Sequence, residues 1–398
     1  MNKYTIDLAN TCLGCKKPSC EKGCPVNTPI AEMIRLFLSG EIRTAGQMLF
    51  DNNPLSIICS LVCPHEKHCE GHCVLNKKKT AVSVGSIENY ISDFYMHDTQ
   101  FKKPEHNGHN IAIIGSGPAG IALAFILASK GYGITMYDSH DKIGGVLRQG
   151  IPDFRLNKNI LDKLIEKLKQ LGVIIRPNIM IGKNITIDDL FRDGFKAVFL
   201  STGVWSPKKL GIKGESLGHV HFAIDYLKNP SVYDLGKKVV VLGAGNVAMD
   251  VARTAVRNGV KEVVIMYRKG EENIPAEKHE VDCAKIDGVK FDFYKEPLEF
   301  NDKGIFYQTT DGTDEKGFIE TDSIFISISQ NPNDIIVKNN KDISVDEKGL
   351  LSTDENGMTS RVGVFASGDV VTGARTVVEA VAFSKKVAVS IEEYIDNL

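Results

Sequence analysis

Eight of the nine cysteines fall between residues 12 and 73, in two quartets. The first is Cys12-x2-Cys15-x4-Cys20-x3-Cys24, followed by Pro25; the second is Cys59-x3-Cys63-Pro64-x4-Cys69-x3-Cys73. Thiolates at such short gaps can wrap an iron–sulfur cluster. A Cys-Pro ending is common in ferredoxin-type runs, whose last cysteine often ligates the neighbouring cluster. The same thiolates could hold two structural zinc ions, although four-cysteine zinc sites usually show paired Cys-x2-Cys knuckles. Disulfides are the weakest reading, because nothing in the sequence directs the chain to an oxidising compartment. The ninth cysteine, Cys283, stands alone, cannot form a dithiol, and reads as buried and inert.

A second kind of chemistry is written in glycines. Residues 111–114 are an apolar run that breaks at Gly115-Ser-Gly117-Pro118-Ala119-Gly120; residues 239–242 break in the same way at Gly243-Ala-Gly245-Asn246-Val247-Ala248. Each run predicts a buried parallel strand, a tight turn and a helix whose N-terminus faces a pyrophosphate. The positions after the second strands discriminate between the two sites. Strand 133–137 ends at Asp138, a carboxylate that can accept from a ribose hydroxyl and would repel a 2′-phosphate, which suits FAD or NAD. Strand 262–266 leads instead to Tyr267-Arg268-Lys269. A guanidinium there can hold a 2′-phosphate, which favours NADP(H), with NAD(H) possible; the bland alternative is a pair of solvated loop charges.

Further pieces belong with the first fingerprint. Gly144-Gly145-Val-Leu147-Arg148 and Gly150-Ile151-Pro152-Asp-Phe-Arg155 let backbone pass close to a flat ligand. Ser201-Thr202-Gly203 ends a buried strand, Gly368-Asp369 places a carboxylate near a flavin polyol, and a helix begins at Thr376-Val377. Glu277, His279 and Glu280 could act as acid/base groups, but a solvated helix face is the simpler reading, and hydride transfer does not require them.

The elements that must position these residues give an α/β architecture with two Rossmann-like dinucleotide-binding domains preceded by an α-helical domain. Residues 1–100 read as short helices (30–37, 42–50 and 87–95) between cysteine-rich loops, with Pro29 in a first helical turn after Asn27 or Thr28 as cap. Residues 101–235 form the first part of an FAD domain, 236–333 an inserted NAD(P)H domain, and 334–398 the return segment of the FAD domain. Lys77-Lys-Lys79 is a solvated loop or, as a minority reading, a docking point for a partner. At 398 residues, with a net charge of −2 and 42% hydrophobic residues, the chain is expected to be a globular protein of two or three domains. It shows no electrostatic footprint for nucleic acid and no membrane span. The first residues lack the apolar core of a secretion signal, so a cytoplasmic location is expected.

The cysteine spacings, Gly115-Ser-Gly-Pro-Ala-Gly120, Gly150-Ile-Pro-Asp-Phe-Arg155, Gly243-Ala-Gly-Asn-Val-Ala-Met-Asp250 and Ala366-Ser-Gly-Asp369 occur here in one order. In that order the chain resembles the small subunit of glutamate synthase and the N-terminal half of dihydropyrimidine dehydrogenase, over nearly its full length. The resemblance implies FAD, NAD(P)H and two [4Fe–4S] clusters. It implies one cluster on Cys12, Cys15, Cys20 and Cys73, and the other on Cys24, Cys63, Cys69 and a non-cysteine ligand matching Glu88, with Cys59 a bystander. Two departures are visible: few residues precede Cys12, and Ser201-Thr-Gly203 replaces the commoner Ala-Thr-Gly. Nothing resembles a site for glutamine, glutamate or a pyrimidine.

The expected function is an electron-input flavoprotein subunit that oxidises NAD(P)H and passes electrons to a catalytic partner subunit or a ferredoxin-like acceptor. No Cys-x-x-Cys lies in the nucleotide domain, which argues against a dithiol relay. The rivals are a stand-alone diaphorase or ferredoxin reductase, and a zinc-stabilised flavin-binding redox sensor.

Overall fold

The computed structural model describes residues 2–78 and 80–398; Met1 and Lys79, the last residue of the lysine run, lie outside them. The chain forms two compact units. One is built from the chain up to Arg148, from Asp153–Val204 and from Pro332–Leu398; the other is built from Gln149–Pro152 and Trp205–Asn331.

The first unit opens with helices. Ile30–Leu38 buries Ile30, Met33, Ile34 and Phe37, the spacing that puts one apolar stripe on one side of a helix. With Leu49, Ile87 and Ile91 these side chains make the core of the cysteine-rich region. The other two expected helices are Ile42–Asn52 and Val84–Asp98. Pro29 takes the cap position itself and makes no side-chain cap bond. Asn27 sits at φ 50°, and the Thr28 hydroxyl lies 3.3 Å from the Cys24 Sγ instead of capping.

These helices run directly onto a five-stranded parallel sheet of order 364–366, 195–200, 110–114, 133–137, 174–176. Pro118–Ala128 is apolar on every side and buries nine of its residues, because the sheet covers one face and the long helix Val377–Asp396 packs on another. Phe125, near its C-terminal end, meets Phe50 of the cysteine-rich region edge to face, with ring centroids 5.2 Å apart. Phe50 also packs, with tilted rings, against Phe101 at 4.9 Å and against Tyr95 at 5.7 Å. Lys385 Nζ donates to Asn52 Oδ1 at 2.7 Å across the same seam.

The second unit holds another five-stranded parallel sheet, of order 220–222, 323–326, 238–242, 262–267, 290–293. An antiparallel three-stranded sheet, Lys295–Asn301, Gly304–Thr309 and Lys316–Glu320, is inserted in sequence between its strands 290–293 and 323–326. The boundary expected at 235 needs correction. Val220–Phe222 pairs in parallel with Ser323–Ile326, and residues 205–235 belong with this unit. The strand is three half-buried residues long, too short for its pattern to be read in advance.

Candidate functional site

Cys12, Cys15, Cys20 and Cys73 line one cavity, closed by Ile30, Ile34, Val82 and Val84. The chain thus brings three cysteines of the first quartet to the last of the second. Burial pushes the Cys20 thiol up to about 11, and Cys73 and Cys12 beside it add to the rise. Cys24, Cys63, Cys69 and Glu88 gather separately, together with Cys59. Burial drives the Cys63 and Cys69 thiols far up, and Glu88 and Cys24 add to it. Glu88 is 6% exposed, and burial pushes its carboxyl up to about 8. Cys59 is buried beside Glu88 and Cys24, with the Asn53 amide against its thiol, so it is closer to this group than a bystander need be.

A coordinating thiol is deprotonated outright, and each set gathers three cysteines with a fourth donor, a chemistry that fits a metal centre. Among the described residues no three His, Cys, Asp or Glu side chains converge closely enough to hold a single ion. The thiols of the first set line a cavity wall, an arrangement that suits a multi-iron cluster better than one tetrahedral zinc with bonds of about 2.3 Å.

At the first fingerprint, Gly115 has φ +99°, and a Cβ there would lie 2.4 Å from the Ser201 carbonyl oxygen and 3.0 Å from the Thr202 Cα. Gly117 caps the helix in extended conformation, and a Cβ on it would meet nothing within 4 Å. That leaves open space in front of the helix N-terminus, where Pro118 has no N–H and those of Ala119 and Gly120 lack helical partners. Gly145 lies against the Gly117 Cα, and Gly368 against the Ala119 side chain. Asp369 accepts from the Arg375 N–H at 3.1 Å, and burial pushes its carboxyl up to about 6. Thr376 caps Val377–Asp396 in a reciprocal bond with Glu379.

Three candidates stand differently from expectation. Leu147 is fully buried, with no surface open to a ligand. Arg148 spends its guanidinium on the Ile143 carbonyl at 2.8 Å and on Asp162. Ile151 falls in the segment that groups with the second unit.

Asp138 is locked by a partner that the sequence did not reveal. One oxygen accepts from the Ser116 N–H at 2.9 Å and from the Ser116 hydroxyl; the other accepts from the His140 N–H at 2.8 Å and is 2.9 Å from His140 Nδ1. Ser116 Oγ also accepts from the Gly144 N–H at 2.9 Å, so one hydroxyl joins the fingerprint turn, the acid and the double glycine. Burial raises the Asp138 pKa, but the bonds from His140 and Ser116 outweigh it and hold the carboxyl below its ordinary value. The unfolded chain therefore binds the proton more readily. This group's stabilisation is complete above the unfolded value of about 3.9 and is lost as pH falls through the lower folded value. Thermal unfolding of wild type and Asp138→Asn, followed from pH 6 to pH 3, checks this. The variant should lose about 1–3 kcal/mol at pH 6, and the gap should narrow in acid; a gap that is constant with pH would refute the assignment.

The second fingerprint repeats the backbone of the first. Gly243 has φ +117° with a Cβ position 2.3 Å from the Ser327 carbonyl oxygen, and a Cβ on Gly245 would meet open space. Gly245 caps Asn246–Arg257 in extended conformation. The Asn246 side chain is used structurally, accepting from the Glu277 N–H at 2.8 Å; Val247 and Ala248 leave helix N-terminal N–H groups facing out. Arg268 lies at the end of Glu262–Tyr267, its side chain 65% exposed and 3.6 Å from Glu296. The Lys269 carbonyl accepts from the Tyr294 N–H. Glu280 is not a solvated face residue: it is buried and bonds Arg253 Nη1 at 2.7 Å. Cys283 is partly exposed rather than buried, 3.6 Å from His279 Nε2 on the same helix.

Residues 109–383 match the pyridine nucleotide-disulphide oxidoreductases. The chain belongs to that family. Residues 1–100 match the 4Fe-4S domain II of dihydropyrimidine dehydrogenase. The small chain of NADPH glutamate synthase from Escherichia coli K12 is 33% identical over 98% of this chain and 91% of its own length. The beta subunit of NADP(+)-dependent formate dehydrogenase from Moorella thermoacetica is 32% identical over 94% of this chain and 60% of its own. The beta subunit of NADPH-Fe(3+) oxidoreductase from Geobacter sulfurreducens is 35% identical over 69% of this chain and 42% of its own.

Among solved structures, thioredoxin reductase from T. acidophilum aligns with a TM-score of 0.59 and 24% identity, covering 73% of this chain and 99% of that one. FprA from Mycobacterium tuberculosis aligns with a TM-score of 0.62 and 18% identity, covering 73% and 85%. These two bear on the fold alone.

This pyridine nucleotide-disulphide oxidoreductase is thus an FAD-dependent NAD(P)H oxidoreductase with an added 4Fe-4S domain, of the kind found as an electron-transfer subunit. Among the described residues no helix is long and apolar enough to cross a membrane.

Proposed function

We propose that this chain is the electron-input subunit of a cytoplasmic multi-subunit oxidoreductase of the glutamate synthase or dihydropyrimidine dehydrogenase type. In this reading NADPH is held on the second glycine turn, FAD on the first, and two [4Fe–4S] clusters on the cysteine-rich helices. The bound groups supply the conversion of a hydride into single electrons; the protein supplies position and electrostatics.

Gly117, Ala119 and Gly120 admit a pyrophosphate to a helix N-terminus. Asp138 and Ser116 fix the turn and face the ribose, and Asp369 faces the polyol. Arg268 and Lys269 supply cations for a 2′-phosphate. Cys12, Cys15, Cys20 and Cys73 would hold one cluster, and Cys24, Cys63, Cys69 and Glu88 the other. The observation that carries the reading is the single cavity lined by cysteines from both quartets, in a chain that also has two glycine turns of one backbone geometry. The buried set, which lies beside the helix Val377–Asp396 through Lys385 and Cys24, is the one nearer the flavin domain.

Anaerobic purification with iron and sulfide analysis, followed by flavin bleaching with NADPH and NADH, tests the proposal. Two clusters' worth of iron and sulfide is expected, with NADPH the better reductant. Arg268→Ala should raise the NADPH concentration required by roughly tenfold or more and leave NADH unchanged. Zinc without iron would favour the redox-sensor reading. Isolation from the native source without a stoichiometric partner would favour a stand-alone reductase.

A further inference from the structure

One cysteine set has no buried member: Cys12, Cys15, Cys20 and Cys73 are all partly open to solvent. The other mixes the partly open Cys24 and Cys63 with Cys69 and Glu88, which are 5% and 6% exposed. The rim over this outer cavity has a definite make-up. Leu13 and Val74, which line the cavity, are 65% and 44% exposed. Around them stand Lys16, Lys17, Lys22, Lys77 and Lys78, every one exposed. Residues 12–22 and 73–78 contain a single acid, Glu21, and its Oε1 is turned to the Ala31 N–H at 3.0 Å. Some lysines elsewhere in the chain meet carboxylates, as in Lys130–Glu392 or Lys169–Glu166; among the described residues none of these five is in an ion pair. The result is a small apolar centre flanked by unpaired lysines, above thiols that are partly open to solvent.

We propose that this rim is the docking surface for the electron acceptor, and that the acceptor is a redox protein whose own centre is ringed by carboxylates. Apolar contact at the centre of a patch with charge at its edge is the anatomy of a protein interface. Unpaired lysines raise the encounter rate with an acidic partner at no cost in broken ion pairs. The inference rests on the outer cavity holding a cluster. Electrons then leave singly, one per encounter, and no atom is transferred.

The test uses the full chain loaded with iron and flavin, NADPH as reductant, and two carrier probes: an acidic plant-type ferredoxin and a basic cytochrome c. Ferredoxin reduction should slow about tenfold or more as salt rises from about 0.01 M to 0.1 M, over which the Debye length shortens from about 30 Å to about 10 Å. The combined variant Lys16→Gln/Lys17→Gln/Lys77→Gln/Lys78→Gln should slow it by a similar factor at low salt and remove the salt dependence. Iron content and flavin bleaching by NADPH should be unchanged, and cytochrome c reduction should not fall. Full iron content with ferredoxin reduction indifferent to both salt and the four substitutions would overturn the proposal. A wild-type preparation with zinc and no iron would instead overturn the cluster reading beneath it. If the combined variant loses iron, the pairs Lys16→Gln/Lys17→Gln and Lys77→Gln/Lys78→Gln are measured separately, and an iron-replete pair with unchanged salt dependence counts against it.

Discussion

Arg253→Met is expected to unfold the second unit at a markedly lower temperature than wild type, with a loss of about 3–5 kcal/mol. Arg253 is 7% exposed and Glu280, its partner at 2.7 Å, is equally buried. The same guanidinium reaches Asp287 at 3.0 Å, and Arg257 adds a second cation to Asp287 at 3.1 Å. Together they fasten Lys278–Ile286 to the helix that opens at the second glycine turn. Methionine keeps most of the volume but removes the guanidinium that Glu280 and Asp287 share, and a buried carboxylate that loses its cation costs more than a lost neutral bond. Calorimetry or circular dichroism should show a drop of about 10 °C. The companion variant Arg253→Met/Glu280→Met removes both charges and should recover much of that loss. If the double variant is as unstable as the single one, packing rather than orphaned charge is responsible and the explanation is wrong.

Gly115→Ala should yield protein that purifies with little flavin and a reduced melting temperature. At φ +99° the new side chain carries a strain of about 1–2 kcal/mol, and its Cβ would fall 2.4 Å from the Ser201 carbonyl oxygen. That neighbour is backbone and cannot rotate away, so overpacking adds about 1–3 kcal/mol. Gly117→Ala is the informative contrast. Gly117 has φ −71° and open space at its Cβ position, so the flavin-free variant should melt like flavin-free wild type while binding less flavin, because the methyl group occupies the approach to the helix N-terminus. Absorbance of bound flavin beside the melting temperature separates the two. Equal flavin content in wild type and Gly117→Ala would mean that this turn does not face the pyrophosphate.

The contrast also explains which parts of the molecule were legible in advance. A glycine at a positive φ, or a cysteine among cysteines, is nearly irreplaceable at its position, so residue type alone marks the two turns and the two quartets. The Ser116–Asp138–His140 lock was not legible, because a serine inside a fingerprint looks interchangeable until an acid 22 residues on is placed against it. Glu280 reads as an ordinary helix-surface charge for a similar reason: only the packing of two helices pairs it with Arg253 in the interior. Pro118–Ala128 was recognisable from its glycines but not from amphipathicity, since an all-round apolar helix has no stripe. Residues 205–235 are expected with the first part of the FAD domain but group with the second unit, because strand 220–222 adds its hydrogen bonds through backbone, with little apolar signal.

The seam of Phe50, Tyr95, Phe101 and Phe125 has a kinetic consequence. Pro118–Ala128 presents its first residues to the glycine turn and its Phe125 to the cysteine-rich helices, and eleven helical residues span only about 16 Å. The two regions are thus the two ends of one rigid rod rather than bodies on a tether. No swing of one toward the other precedes electron passage between them, so that step should be indifferent to the viscosity of the solvent. Thickening the solvent with glycerol should slow only the events in which a molecule arrives or departs.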